Sequence, residues 1–293
     1  MQGLVPEEVL SGLEACDCHI HMKGSETVDS IERALDRAGL RGAVLFTPYP
    51  GLGTGHVMGV EEFRRSVEFG SRIQRGVEGR VAVFAFFEPR MSRDPGELRR
   101  LLEWALTDKE LSGVKMIPAG WYPYEELLDP VYRLVDELGL PITFHCGISW
   151  AFPDSSRFCR PVYYEKLAAY PRPRFALAHI CWPWVDEALA VAGKFLYAIA
   201  RGDAEKCNLF IDITPGTPPL WRADALRKAV TYLGHRLLIY GSDCFGADNA
   251  ECLCQHLELD LAVMKHLAGL DINTIRDIMG RNASRFLGKT LGA

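Results

Sequence analysis

The segment 15–24 reads ACDCHIHMKG, with Asp17, His19 and His21 two residues apart and Cys18 and Ile20 between them. A β-strand turns alternate side chains to opposite faces. If 14–21 is a strand, the three ionisable groups share one face. Ionisable groups on a buried face need a partner of opposite character, and a bound cation is one such partner. The Cα atoms of His19 and His21 lie ~6.6 Å apart along an extended chain, which lets two imidazoles converge on one ion.

Seven further runs share the composition of this segment, being short and rich in Val, Ile, Phe and Leu. They are RGAVLFT (41–47), RVAVFAFFE (80–88), SGVKMI (112–117), LPITFHC (140–146), RFALAHI (174–180), NLFIDIT (208–214) and RLLIYGSD (236–243). Helical spacing fills the gaps. Val28, Ile31, Leu35 and Ala38 share a helix face that Gly39 ends, Val60, Phe63 and Val67 form another, and Leu98, Leu101, Leu102, Ala105 and Leu106 a third. Strands alternating with helices call for a parallel sheet, because parallel strands need crossovers. Eight such units in 293 residues predict a closed (β/α)8 TIM barrel. It forms a single domain over 1–293, with a short N-terminal extension (1–14) and a C-terminal helix at about 271–287. The segment 183–206 is long for one connection and predicts an extra helix or lid. The Gly-rich loop 48–59 lacks the spacing of a phosphate cradle and reads as a mobile loop.

Bulk properties narrow the function. The net charge is −5 and no long basic run occurs, so neither a nucleic acid nor an anionic membrane is an expected partner. No apolar run approaches the ~20 residues of a membrane helix, and 1–12 lacks the apolar stretch of a secretory signal. The nine scattered cysteines are expected as reduced thiols of a cytoplasmic protein. Cys18 and Cys146 face away from the neighbouring histidines. Cys252 and Cys254 do not share a helix face, so buried inert thiols are expected rather than a second metal site. The expected partner is a small-molecule substrate, and the composition leaves homo-oligomerisation open.

In a barrel of this kind the chemistry lies at the C-terminal ends of the strands. Those ends offer His19 and His21, Glu88, Lys115, His145, His179, Asp212 and Asp243 in chain order. Imidazole nitrogens and carboxylate oxygens suit Zn²⁺, and also Mn²⁺ or Fe²⁺. Closure of the barrel brings His145 and Asp243 toward the first strand. Asp17, one step deeper, is placed to hold a ligand or a cation, or to form a buried ion pair. Trp121, Tyr122, Trp150, Phe152, Trp182 and Trp184 follow strand ends and are candidates for the wall of an apolar pocket. Arg90, Arg157 and Arg160 are candidates to grip a carboxylate.

The ordered series DCHIH, GVKM, PITFHCG, FALAHICW, NLFIDIT and IYGSDCF resembles the amidohydrolase superfamily. It is most similar to the amidohydrolase-related branch of metal-dependent TIM-barrel hydrolases and decarboxylases, whose C-terminal signature GRNASRFLG also resembles. That resemblance implies that His19, His21, His145 and Asp243 bind one ion, and that His179 binds a second ion or positions the attacking water. It implies a catalytic pair of Asp243 and His179, with Asp243 accepting a proton from metal-bound water. Lys115 is a metal ligand only if carboxylated. Otherwise it joins Trp121, Trp150 and Arg160 as a substrate contact. Lys115 and Ser242 depart from the nuclease-like relatives, which usually carry Glu and Thr there. The expected cofactor is one or two divalent ions, Zn²⁺ first and Mn²⁺ second. The expected activity is metal-dependent hydrolysis of an amide, ester or lactone carbonyl of a small molecule. The alternative is metal-dependent, non-oxidative decarboxylation of an aromatic or unsaturated carboxylic acid. A barrel that binds metal without turnover is the third reading, and the intact ligand set argues against it.

Overall fold

The computed structural model describes residues 12–150, 154–203, 205 and 207–292. Each run picked out above forms a strand: β1 (Cys16–His21), β2 (Gly42–Phe46), β3 (Val81–Phe86), β4 (Gly113–Met116), β5 (Ile142–Phe144), β6 (Phe175–Leu177) and β7 (Leu209–Asp212). The eighth run forms only the short β8 (Leu238–Ile239), and a further short strand, β9 (Cys244–Phe245), follows its last residue. All pairs are parallel, in the order β8-β7-β6-β5-β4-β3-β2-β1-β9. β8 pairs with β7 through Ile211 and Leu238, and β9 pairs with β1 through Ile20 and Cys244. Between them, Cys18 donates its backbone N–H to Tyr240 O at 2.8 Å. The eighth run is therefore bonded on both sides and closes the ring, as a (β/α)8 barrel requires. Strands β1 to β7 are buried along their whole length, the pattern of a parallel sheet filled within and covered by helices without.

The helices are α1 (Val28–Ala38), α2 (Val60–Gly76), α3 (Pro95–Glu103), α4 (Asp129–Leu138), α5 (Val185–Ala200), α6 (Pro219–Leu233) and α7 (Ala250–Ala262). Local signals set their ends. α1 starts in a Thr27–Ser30 capping box and stops at Gly39, whose φ of 65° is the left-handed C-cap that glycine adopts freely. α3 continues into a π-turn, Trp104–Asp108, that keeps Ala105 and Leu106 buried. The crossover from β5 to β6 is an exception, made of the short helix Ser155–Phe158 and the 3-10 segment Pro161–Ala169. The described part of 183–206 holds α5 alone, so the expected extra helix or lid is absent there. The C-terminal helix runs from Ile272 to Leu287 through a π-turn at Asp277–Arg281. Within GRNASRFLG, Asn282 is fully buried and donates to the carbonyls of His235 (2.7 Å) and Leu238 (2.6 Å), anchoring this helix under the eighth strand. Residues 1–11 of the N-terminal extension lie outside the described residues.

The cysteines depart from expectation at one pair. Cys244 and Cys252 form a disulfide, with Cα atoms 6.0 Å apart, while the other seven are free. The partner of Cys252 is not on its own helix: residues 246–249 return the chain so that the first turn of α7 meets Cys244 on β9. No helix among the described residues is long and apolar enough to cross a membrane.

Candidate active site

A cavity of about 190 Å³ opens at the C-terminal end of the barrel. His19, His21, Lys115, His145, His179 and Asp243 line it, together with Leu52, Ile117, Ile148, Trp150 and Phe245. Strand alternation brings both β1 imidazoles to the inner face. Asp243 reaches them from a backbone with φ of 60°, fixed by its N–H to His19 O at 2.9 Å. One ligand atom from each of His19, His21 and Asp243 lies within 4.8 Å of the others. Asp243 Oδ1 is 3.3 Å from His19 Nε2 and 3.5 Å from His21 Nε2. Gly241 makes this approach possible, since a Cβ there would stand 2.5 Å from His19 Cβ.

Hydrogen bonds assign the tautomers. His19 Nδ1 lies 2.6 Å from Asp212 Oδ2, and Asp212 Oδ1 accepts from Thr214 N (2.9 Å) and Oγ1 (2.8 Å). The carboxylate accepts a hydrogen bond from Nδ1–H, which leaves the His19 Nε2 lone pair facing the cavity. His179 Nδ1 lies 2.7 Å from Pro215 O, an acceptor only, so Nδ1 carries the proton and Nε2 accepts. His145 Nδ1, 3.1 Å away, then donates to His179 Nε2. That leaves His145 Nε2 a buried lone pair with no partner among the described residues. Burial pushes the pKa of all four histidines down, which favours these neutral forms. A buried orphan nitrogen on His145, a His19 Nε2 lone pair that faces the cavity and meets only the Lys115 amine, and a converging carboxylate are donor types that suit a divalent transition ion, so the residues present fit a metal. His145 and His179 stand beside the group formed by His19, His21 and Asp243, and both ring nitrogens of His179 are engaged within the chain.

The electrostatics follow from burial and neighbours. Burial alone would raise Asp243, but the His21 hydrogen bond and the fields of His19 and His179 outweigh it and hold the carboxyl well below its usual range. Burial lowers Lys115 to about 8, against the pull of Asp243 and Asp212. The Lys115 Nζ donates to His19 Nε2 at 3.1 Å and sits 4.7 Å from the Phe46 ring centroid. Burial raises Asp212 to about 6 and Asp17 to about 7.

Several expected contacts fall elsewhere. Lys115 and Trp150 line the cavity, but Trp121 is buried outside its wall and Arg160 pairs with Glu187 and lies over the Trp184 ring. Arg90 grips Glu88 with two nitrogens, and Arg157 turns to Tyr122 and Asp154. Each guanidinium has met an acceptor of its own chain, which spacing alone does not reveal. Phe152 lies outside the described residues. The Gly-rich loop is tied down, because Tyr49 Oη donates to Glu88 and accepts from Met58 N, both at 3.1 Å. Asp17 holds backbone rather than an imidazole or a cation: its Oδ1 accepts from His19 N (2.9 Å) and Ser242 N (3.0 Å). The imidazole partner is Asp212, which strand-end position marked but no motif assigned. Glu26 was also missed. Its buried carboxylate accepts the N–H groups of Lys23, Gly24, Ser25 and Ala247, joining the loops that follow His21 and Asp243.

Comparison with known proteins adds two findings. A family model described as amidohydrolase matches residues 16–289. Similar solved structures include 5-carboxyvanillate decarboxylase from Sphingomonas paucimobilis, at 16% identity and a TM-score of 0.65, covering 95% of this chain and 100% of that one. The 2,6-dihydroxybenzoate decarboxylase from Rhizobium gives 14% and 0.65, covering 94% and 98%. The 5-carboxyvanillate decarboxylase from Novosphingobium aromaticivorans, complexed with manganese and 4-hydroxy-3-methoxy-5-nitrobenzoic acid, gives 13% and 0.66, covering 97% and 98%. No curated protein matches the sequence. These neighbours correct the expected reaction. They are decarboxylases of aromatic acids, so hydrolysis of an amide, ester or lactone carbonyl gives way to the decarboxylase alternative. At these identities the likeness establishes the barrel, while the family match runs from the first strand to the last helix, and the chain belongs to the amidohydrolase family.

Proposed function

We propose that this protein is a metal-dependent, non-oxidative decarboxylase of a small aromatic or unsaturated carboxylic acid. One observation carries the reading. The cavity combines the donor atoms of His19, His21 and Asp243 with apolar lining from Leu52, Ile117, Ile148 and Phe245, the last stacked on the His21 ring. An aromatic carboxylate needs both, a cation for its oxygens and an apolar slot for its ring. At about 190 Å³ the cavity lies below the ~300 Å³ where drug-sized pockets begin, so it suits a single ring. His19, His21 and Asp243 hold the ion, with His145 Nε2 as the fourth donor. Mn²⁺ is the first choice, on the manganese-bound neighbour, and Zn²⁺ the second. When bound, the ion supplies positive charge that orients the substrate oxygens and lowers the pKa of a hydroxyl beside them.

The chain's own groups handle the proton. Decarboxylation breaks the bond between ring carbon and carboxylate, releases CO₂ and needs one proton at the vacated carbon. Asp243 is ionised in the free site, so it begins as an acceptor. It takes a proton from an acidic substrate group and returns it to the ring carbon. His145 donates to His179 and His179 to Pro215 O, which fixes the imidazole wall around that transfer. Lys115, still an ammonium near neutral pH, faces the substrate carboxylate. The test is a panel of hydroxybenzoic and unsaturated acids given to Mn²⁺-loaded protein, read by ring absorbance and CO₂ release, beside a panel of esters, amides and lactones. Turnover of at least one acid is expected. Turnover confined to the carbonyl panel overturns the reading.

A further inference from the structure

We propose that Cys244 and Cys252 form a thiol-reducible clamp on the segment that carries Asp243. Their bond joins β9 to the first turn of α7 across residues 246–249. Cys244 is buried and paired with Ile20 of β1, whereas Cys252 is half-buried, so a small thiol meets the Cys252 sulfur first. One turn further along α7, His256 brings a ring nitrogen within 4.8 Å of both sulfurs. Its Nδ1 is buried and has no hydrogen-bond partner among the described residues. The site therefore holds an imidazole within reach of both sulfurs, able to hydrogen-bond a thiol of the opened pair.

The clamp sits where the fold is otherwise lightly held. β9 is two residues long, Phe245 is half-exposed and Asp243 has a left-handed backbone. Without the bond, the segment keeps Asp243 N to His19 O, Gly246 N to His21 O and the Glu26 contact to Ala247. Opening is ordinary thiol–disulfide exchange with a thiol of the glutathione class. The small thiolate attacks Cys252 Sγ, the protein S–S bond breaks, and its electron pair leaves on Cys244 Sγ, which takes up a proton. A second small thiol resolves the mixed disulfide. Two small thiols are oxidised to one disulfide, and the protein pair is reduced to two thiols. Resting on the metal centre proposed above, the reduced form binds Mn²⁺ about 10-fold more weakly, the lower end of what losing a supporting contact costs.

The test uses the full chain in oxygen-free buffer with either glutathione or glutathione disulfide. Alkylation with mass spectrometry reads the crosslink, hydrogen exchange over 243–250 reads the segment, and titration reads Mn²⁺. We expect a 244–252 crosslink only in the oxidised buffer and faster exchange in the reduced one. Cys252→Ser should exchange like reduced wild type in both. His256→Ala should move half-reduction about 2- to 10-fold toward higher glutathione, the worth of one hydrogen bond. No crosslink in glutathione disulfide, or equal exchange in both states, overturns the clamp. Protein that binds no Mn²⁺ in either state overturns the metal centre instead, and crosslink and exchange then decide the clamp. A Zn²⁺ equivalent taken up only by reduced protein and lost in Cys252→Ser overturns it in favour of a sulfur-ligated ion.

Discussion

His19 meets a different carboxylate on each side: Asp17 holds its backbone N–H, Asp212 its Nδ1 and Asp243 faces its Nε2. Each arrangement gives a separate expectation. Asp212→Asn leaves one acceptor oxygen where the His19 Nδ1–H and the Thr214 donors now use two, so the His19 tautomer is no longer fixed and metal affinity should fall about 10–100-fold by titration while the fold persists. Asp243→Asn keeps shape and a coordinating oxygen but cannot carry the proton. Its kcat should drop on the order of 10²–10⁴-fold with much of the metal retained, and near-normal kcat would move the proton to His179. Asp17 speaks to pH. Its folded pKa is raised to about 7 from 3.8 by burial, so between those values the native state binds more protons than the unfolded chain. Stability then falls as pH rises through that window. In metal-stripped protein, the melting temperature of wild type relative to Asp17→Asn should be lower at pH 8 than at pH 5. A difference independent of pH would contradict it. The His19–His21 alternation was legible because strand period alone fixes it. Asp212 was not, because its role depends on which strand ends face each other across the eighth strand.

Among the elements, the join between β7, α6 and α7 is held by a buried ion pair. Arg222 on α6 is buried with Asp260 on α7, its Nε 2.8 Å from Asp260 Oδ1, and it also donates to the carbonyl of Ile213 at 2.8 Å. Removing one partner strands the other charge away from water. Asp260→Ala should therefore cost about 3–5 kcal/mol in denaturant unfolding, and a loss under 1 kcal/mol would show the guanidinium to be solvated. The helix end at Gly39 was readable because a cap is local. The pairings of Cys244 with Cys252 and of Arg160 with Glu187 were not, since each joins residues that only the folded connections bring together.

At the scale of the whole molecule, eight strand–helix repeats announced a barrel, and the ring closes through residues 238–245. Closure gathers two imidazoles from β1 and single ionisable residues from β4, the ends of β5 and β6, and the end of the eighth run into one cavity. The reaction was the least legible part, because the same donor set serves a metal-held water or a metal-held carboxylate, and only the apolar wall and the neighbouring decarboxylases favour the second. The most direct measurement runs Mn²⁺-loaded protein in D₂O on an acid it consumes, then follows CO₂ and examines the product by NMR and mass spectrometry. The account predicts one CO₂ per product and a single deuterium on the carbon the carboxylate left. A product that keeps its carboxylate and has gained water across a cleaved bond would contradict it.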